Sequence, residues 1–181
     1  PGCKRCYAML LAGTRLSSHP SRVGLTELVN GRHVWTGEVR FNGHWLEQPL
    51  HWKRPRRIFV CAHGDLFHES VPDVWIDWVF SIIAQCPQHE FQILTKRSDR
   101  MRKYMGQLSD DNLRWERFGD ARAQDLGNVA YELGECEWPL PNVWLGVSIE
   151  DRARMEERAA NLKACPAAVR WWSAEPLIDD L

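Results

Sequence analysis

The feature that most constrains the fold of this chain is an alternation. Short apolar, β-rich runs recur, and three of them are each followed by a helical pattern. "RIFVCAH" (57–63) reads as a buried strand. "VPDVWIDWVFSIIAQ" (71–85) then sets Trp75, Trp78, Val79, Ile82 and Ile83 at helical spacing, with Pro72 in the first turn and Pro87 beyond the stop. "FQILT" (91–95) is the next strand. Ser98 is placed to cap a helix carrying Met101, Tyr104, Met105 and Leu108. "VWLGVSI" (143–149) is a third strand, and Ser148 with Asp151 forms a capping box for a helix through about Leu162, with Met155, Ala159 and Leu162 inward. "AVRWWSA" (168–174) is a fourth strand.

Strand–helix alternation of this kind predicts an α/β fold, a parallel sheet with covering helices and right-handed crossovers. A doubly wound sheet and part of a (β/α) barrel both satisfy it. Residues 1–181 are expected to form one domain. The stretch before residue 57 is less regular, with "EVRFNG" (38–43) a candidate for one more short strand. Residues 106–141 are polar and rich in turn formers, longer than an ordinary connection, and read as an insertion on the frame.

Ligands of parallel α/β folds bind at the carboxyl ends of the strands. Those ends carry His63, Gly64 and Asp65; Thr95, Lys96 and Arg97; Ser148, Glu150 and Asp151; and Ser173 and Glu175. Polar clusters at equivalent positions suggest one shared pocket. The plainer alternative is that Ser98, Ser148 and Asp151 only cap helices.

Composition excludes little. Formal net charge is -1, so the chain as a whole argues for neither nucleic acid nor membrane. Locally, "HWKRPRR" (51–57) and "KRSDRMRK" (96–103) are basic and "ELGECE" (132–137) is acidic. No apolar run approaches the ~18 residues of a membrane helix, and no signal peptide is expected, since the first residues lack a charged region followed by an apolar one. The 6 cysteines do not make a disulfide scaffold, which points to a reducing cytoplasm. Residue 1 is Pro, so the first codon is expected to be missing.

Cys3 and Cys6 stand as Cys-x-x-Cys at the start of the chain. Zinc would need a second ligand pair, and a redox pair would need a preceding strand. Inert thiols need nothing, and an iron–sulfur cluster needs further thiolates. Spacing alone leaves all four open.

From "PGCKRCYA" onward, through "QPLHWKRPRRIFV", "DLFHESVPD", "FQILTKRSDRM", "LPNVWLGVSIED" and "VRWWSAEPL", the chain resembles a phage-associated, largely uncharacterised family of radical SAM type. Only about 106–137 falls outside the resemblance. It implies a partial (β/α) barrel lacking its first strand, and a further cysteine upstream of Cys3. It also implies a 4Fe-4S cluster with Cys3 and Cys6 as two of its three thiolate ligands. In such enzymes the cluster reduces S-adenosylmethionine to a 5′-deoxyadenosyl radical that takes hydrogen from a substrate, and an electron donor is required. Lys4 and Arg5 would favour the thiolates. Arg5 stands where the commonest pattern has an aromatic, and Tyr7 follows the last cysteine instead.

On this reading Ser148 and Glu150, then Glu175 and Lys96, bind S-adenosylmethionine, while Asp65 and His68 face an unknown substrate. Asp65, His68 and Lys96 are the catalytic candidates. A second hypothesis is a nucleic-acid-associated protein using 51–57 and 96–103, with Trp45, Trp52 and Trp115 as stacking surfaces. A third is an inactive fragment that binds a cluster poorly where the full-length product would bind one.

Overall fold

The structure, a computed structural model, describes residues 6–125, 137–175 and 178, with backbone alone at 120–125. Cys3 therefore lies outside the described residues, as does the middle of the expected 106–141 insertion. Two compact units span Pro1–Gly43 and His44–Leu181.

In the first unit Cys6 is the N-cap of α1 (Tyr7–Gly13), which buries Ala8 and Ala12. β1 (Thr26–Val29) and β2 (Arg32–Trp35) pair antiparallel, from Thr26 opposite Trp35 to Val29 opposite Arg32. Asn30 and Gly31 join them with φ of 49° and 75°, the left-handed pair that a two-residue hairpin turn demands and that Asn-Gly supplies. The short strand expected at 38–43 does not form; the hairpin lies earlier, at "VNGR".

Two single turns follow along the chain, α2 (Gly43–Leu46) and α3 (Gln48–His51). The second unit then alternates β3 (Arg57–Val60), α4 (Asp73–Ala84), β4 (Glu90–Thr95), α5 (Ser98–Gln107), α6 (Asp111–Asp125), β5 (Val143–Ser148), α7 (Arg152–Ala164) and β6 (Val169–Ser173). The strands form one parallel sheet in chain order β3-β4-β5-β6. The α/β, parallel-sheet expectation holds. The sheet is open, and closure into a barrel is not shown.

Sequential order has a geometric consequence. Right-handed crossovers between neighbouring parallel strands put every connecting helix on the same face of the sheet. That face carries Phe91, Ile93, Val143, Leu145 and Val147, all buried, whereas the opposite face carries half-buried Gln92, Leu94 and Trp144. β3 was expected to be buried. It is an edge strand of alternating exposure, with Phe59 42% exposed. Gly146 lies under the Trp171 indole: a Cβ there would stand 2.4 Å from the ring.

Three sequence expectations shift in detail. The buried side of α4 is centred on Ile76, Phe80 and Ile83, with Asp77 on it, while Trp75 and Val79 are only half-buried. Ser98 is the first residue of α5 and not its cap; Asn161 on α7 donates to its hydroxyl at 3.0 Å. Ser148 ends β5, and Asp151 caps α7 by accepting from the Arg154 amide at 2.8 Å. Within the expected insertion, α6 packs on α4 through buried Phe118, whose ring stacks on Phe80 at 6.3 Å. No helix among the described residues is long and apolar enough to cross a membrane.

Candidate functional site

The carboxyl edge of the parallel sheet gathers most of the expected polar residues. After β3 the chain turns at Cys61, whose φ is 56°, and Gly64 N closes the turn on the Cys61 carbonyl at 2.8 Å. This brings Asp65 to the end of β4. Its Oδ1 accepts from the Thr95 hydroxyl at 2.7 Å and the Phe67 amide at 3.0 Å. Its Oδ2 accepts from the Lys96 amide at 3.1 Å and Arg97 Nη1 at 3.0 Å. Both oxygens are thus committed, and Asp65 ties the β3 loop to the β4 end.

The next strand ends carry a second cluster. Glu150, 8% exposed, follows β5. Lys96 Nζ donates to its Oε1, and Arg158 Nη1 donates to its Oε2 at 2.8 Å. Arg158 also donates to the Ser148 carbonyl at 2.6 Å. Ile149 N reaches the Ser173 carbonyl at 2.8 Å, which prolongs the β5–β6 pairing up to the site. Lys96 and Arg158 against Glu150 leave one positive charge in excess in a largely buried setting, where an unpaired charge is costly.

Lys96, Ser148 and Glu150 therefore come together as the sequence suggested. Sequence reasoning missed Arg158. Its signal was helical spacing: Met155, Arg158 and Leu162 fall on the inward side of α7, so a cation stands on an otherwise apolar face. His68 does not join the cluster. Its Nδ1 accepts from the Ser70 amide at 3.2 Å, and Nε2 lies 3.6 Å from Glu69. Glu175 follows β6 and is exposed.

The basic run 96–103 is internally neutralised. Arg97 pairs with Asp65 and Glu69, Arg100 with Asp73, and Arg102 and Lys103 both with Asp99. Trp115 packs edge-on against Phe118 and under Arg114, which makes it a packing residue. Cys86 and Cys165 are buried thiols, each pushed up to about 11 by desolvation. Cys6 is half-buried. Among the described residues no group of three His, Cys, Asp or Glu is placed to hold a metal ion.

No curated protein matches the chain, and no solved structure does. A family model described as a protein of unknown function, DUF5131, matches residues 1–181. Nothing in that match indicates a radical SAM family, which corrects the resemblance drawn from the sequence motifs. The chain belongs to the DUF5131 family, over its whole length.

Proposed function

We propose that the second unit binds S-adenosylmethionine at the carboxyl edge of its sheet, and that the protein is an enzyme using this ligand. The observation that carries the reading is the Lys96–Glu150–Arg158 triad. An α-amino-acid zwitterion needs a carboxylate for its ammonium group and cations for its carboxylate, side by side and away from bulk water. Glu150 offers the first. Lys96 has three N–H donors, one of them committed to Glu150, and offers the second. The position agrees with the edge where parallel α/β folds bind ligands.

The finer architecture we propose is a partial (β/α) barrel. Sequential parallel order with one covered face supports it, because a doubly wound sheet reverses its order and covers both faces.

The reaction we propose is reductive cleavage of S-adenosylmethionine, on a substrate yet to be identified and with an external electron donor. A 4Fe-4S cluster, when bound, supplies the electron for that cleavage. Cys3 and Cys6 are the thiols proposed to hold it; the described residues contribute only Cys6, so support for the cluster rests on the sequence. The buried thiols Cys86 and Cys165 agree with the reducing cytoplasm we propose as its compartment.

Anaerobic reconstitution of the full-length protein with iron and sulfide, followed by dithionite and S-adenosylmethionine, tests the reaction. Cluster absorbance and 5′-deoxyadenosine are expected. Saturable binding of S-adenosylmethionine with neither signal would leave a binding protein and overturn the cleavage chemistry.

A further inference from the structure

At the opposite, amino-terminal edge of the same sheet lies a cleft of about 550 Å³, lined by Pro55, Arg56, Arg57, Gln88, Glu90 and Trp144 among others. Two guanidinium groups stack on indoles beside it. Arg56 sits 4.2 Å over the Trp52 ring, and Arg57 sits 5.1 Å over Trp144. Arg57 also pairs with Glu90, the one carboxylate among the lining residues.

Arg56 differs from Arg57 in charge balance. Lys53, Arg54 and Arg56 are exposed, and no carboxylate pairs with them among the described residues. That contrasts with 96–103, where every cation has an acidic partner. Arg56 is also held in place. His89, 2% exposed, accepts from the Arg56 amide at 3.3 Å through Nδ1, while Nε2 is 3.0 Å from the Pro49 carbonyl. The Arg56 backbone is pinned from behind, and its side chain rests on Trp52.

We propose that this cleft binds single-stranded nucleic acid. Phosphates would meet Lys53, Arg54 and Arg56. A base would stack on the outer face of a guanidinium plane already backed by an indole, a platform that tolerates any sequence because every base has a π-face. The site is separate from the carboxyl-edge cluster and stands or falls without it.

Fluorescence anisotropy of a labelled oligothymidylate of about twelve nucleotides, titrated with the full chain between about 50 and 200 mM salt, tests the proposal. Binding should weaken steeply with salt. Replacing Lys53, Arg54 and Arg56 together by Ala should cost tenfold or more and flatten the salt slope by about two, the loss expected for three phosphate contacts on a single strand. Arg56→Lys keeps the charge, so it should weaken binding a few-fold at unchanged slope, a result that reports the stacked plane. Replacing Arg102 and Lys103 by Ala should change nothing. Salt-insensitive binding, a triple variant that is folded by circular dichroism and binds as the parent does, or equal displacement by inorganic phosphate or an acidic peptide of matched charge would overturn it.

Discussion

Arg158 on α7 donates to Glu150 at 2.8 Å, and the same nitrogen reaches the Ser148 carbonyl at 2.6 Å. One side chain thus joins a helix to the last backbone group of β5 and to the carboxylate after it. Arg158→Ala leaves a buried carbonyl and one carboxylate oxygen short of a donor. A loss of about 1–3 kcal/mol in urea unfolding is expected, with most of it retained in Arg158→Lys. A variant as stable as the parent would show the bonds to be incidental.

Asp65 is the matching tie on the other side of the edge. It accepts from Thr95, Phe67, Lys96 and Arg97, so Asp65→Ala takes the acceptor from a hydroxyl and two amides and leaves Arg97 with exposed Glu69 as its remaining carboxylate. We expect about 3 kcal/mol or more of destabilisation. Hydrogen exchange should rise first at the Phe67 and Lys96 amides.

A buried polar cluster behind the sheet gives a pH prediction. The Tyr104 hydroxyl donates to Asp77 at 2.7 Å, and Arg117 reaches the same carboxylate at 2.8 Å. Burial nevertheless raises the Asp77 carboxyl above its ordinary 3.8, outweighing both partners. A raised folded-state value means that the carboxyl favours the folded state below the unfolded pKa, and that this contribution is lost as pH rises through the folded one. Asp77→Asn should therefore gain on the parent as pH climbs from about 4. Equal pH profiles of unfolding free energy in the two proteins would contradict this.

Thiol reactivity separates buried from exposed cysteines. Cys86 and Cys165, pushed up to about 11, are protonated at pH near 8. Exposed Cys61 should be alkylated in the native protein, whereas Cys86 and Cys165 should react only once it unfolds. Peptide mapping after timed iodoacetamide treatment reads this directly.

The parallel α/β frame was legible because its signals are periodic and local. Apolar β-rich runs of four to six residues announced β3 to β6. The carboxyl-edge rule points to Lys96, Ser148 and Glu150 among others, and the fold brings these three together. Arg158 was not legible in the same way, since its role depends on which side of α7 meets the β5 end. β3 looked buried because Arg57 is followed by the apolar run Ile58, Phe59 and Val60, yet its place at the sheet edge leaves Phe59 in solvent. The stretch 38–43 forms no strand, and Asn30-Gly31, whose left-handed turn conformation suits a two-residue loop, fixes the hairpin earlier in the chain. The basic run 96–103 read as a patch, but Lys96, Arg97 and Arg100 find carboxylates that tertiary structure brings near, and Arg102 and Lys103 pair with Asp99 about one turn back on α5. Cys3 and the middle of 106–141 lie outside the described residues.

The central claim is that the Glu150 cluster receives S-adenosylmethionine, and calorimetric titration of the ligand into the protein tests it most directly. Saturable binding is expected. Glu150→Gln keeps the shape but removes the charge that would meet the ligand's ammonium group, and should weaken binding tenfold or more, about 1.4 kcal/mol. No saturable heat from the folded protein, or a Glu150→Gln variant that binds as tightly as the parent, would contradict the account.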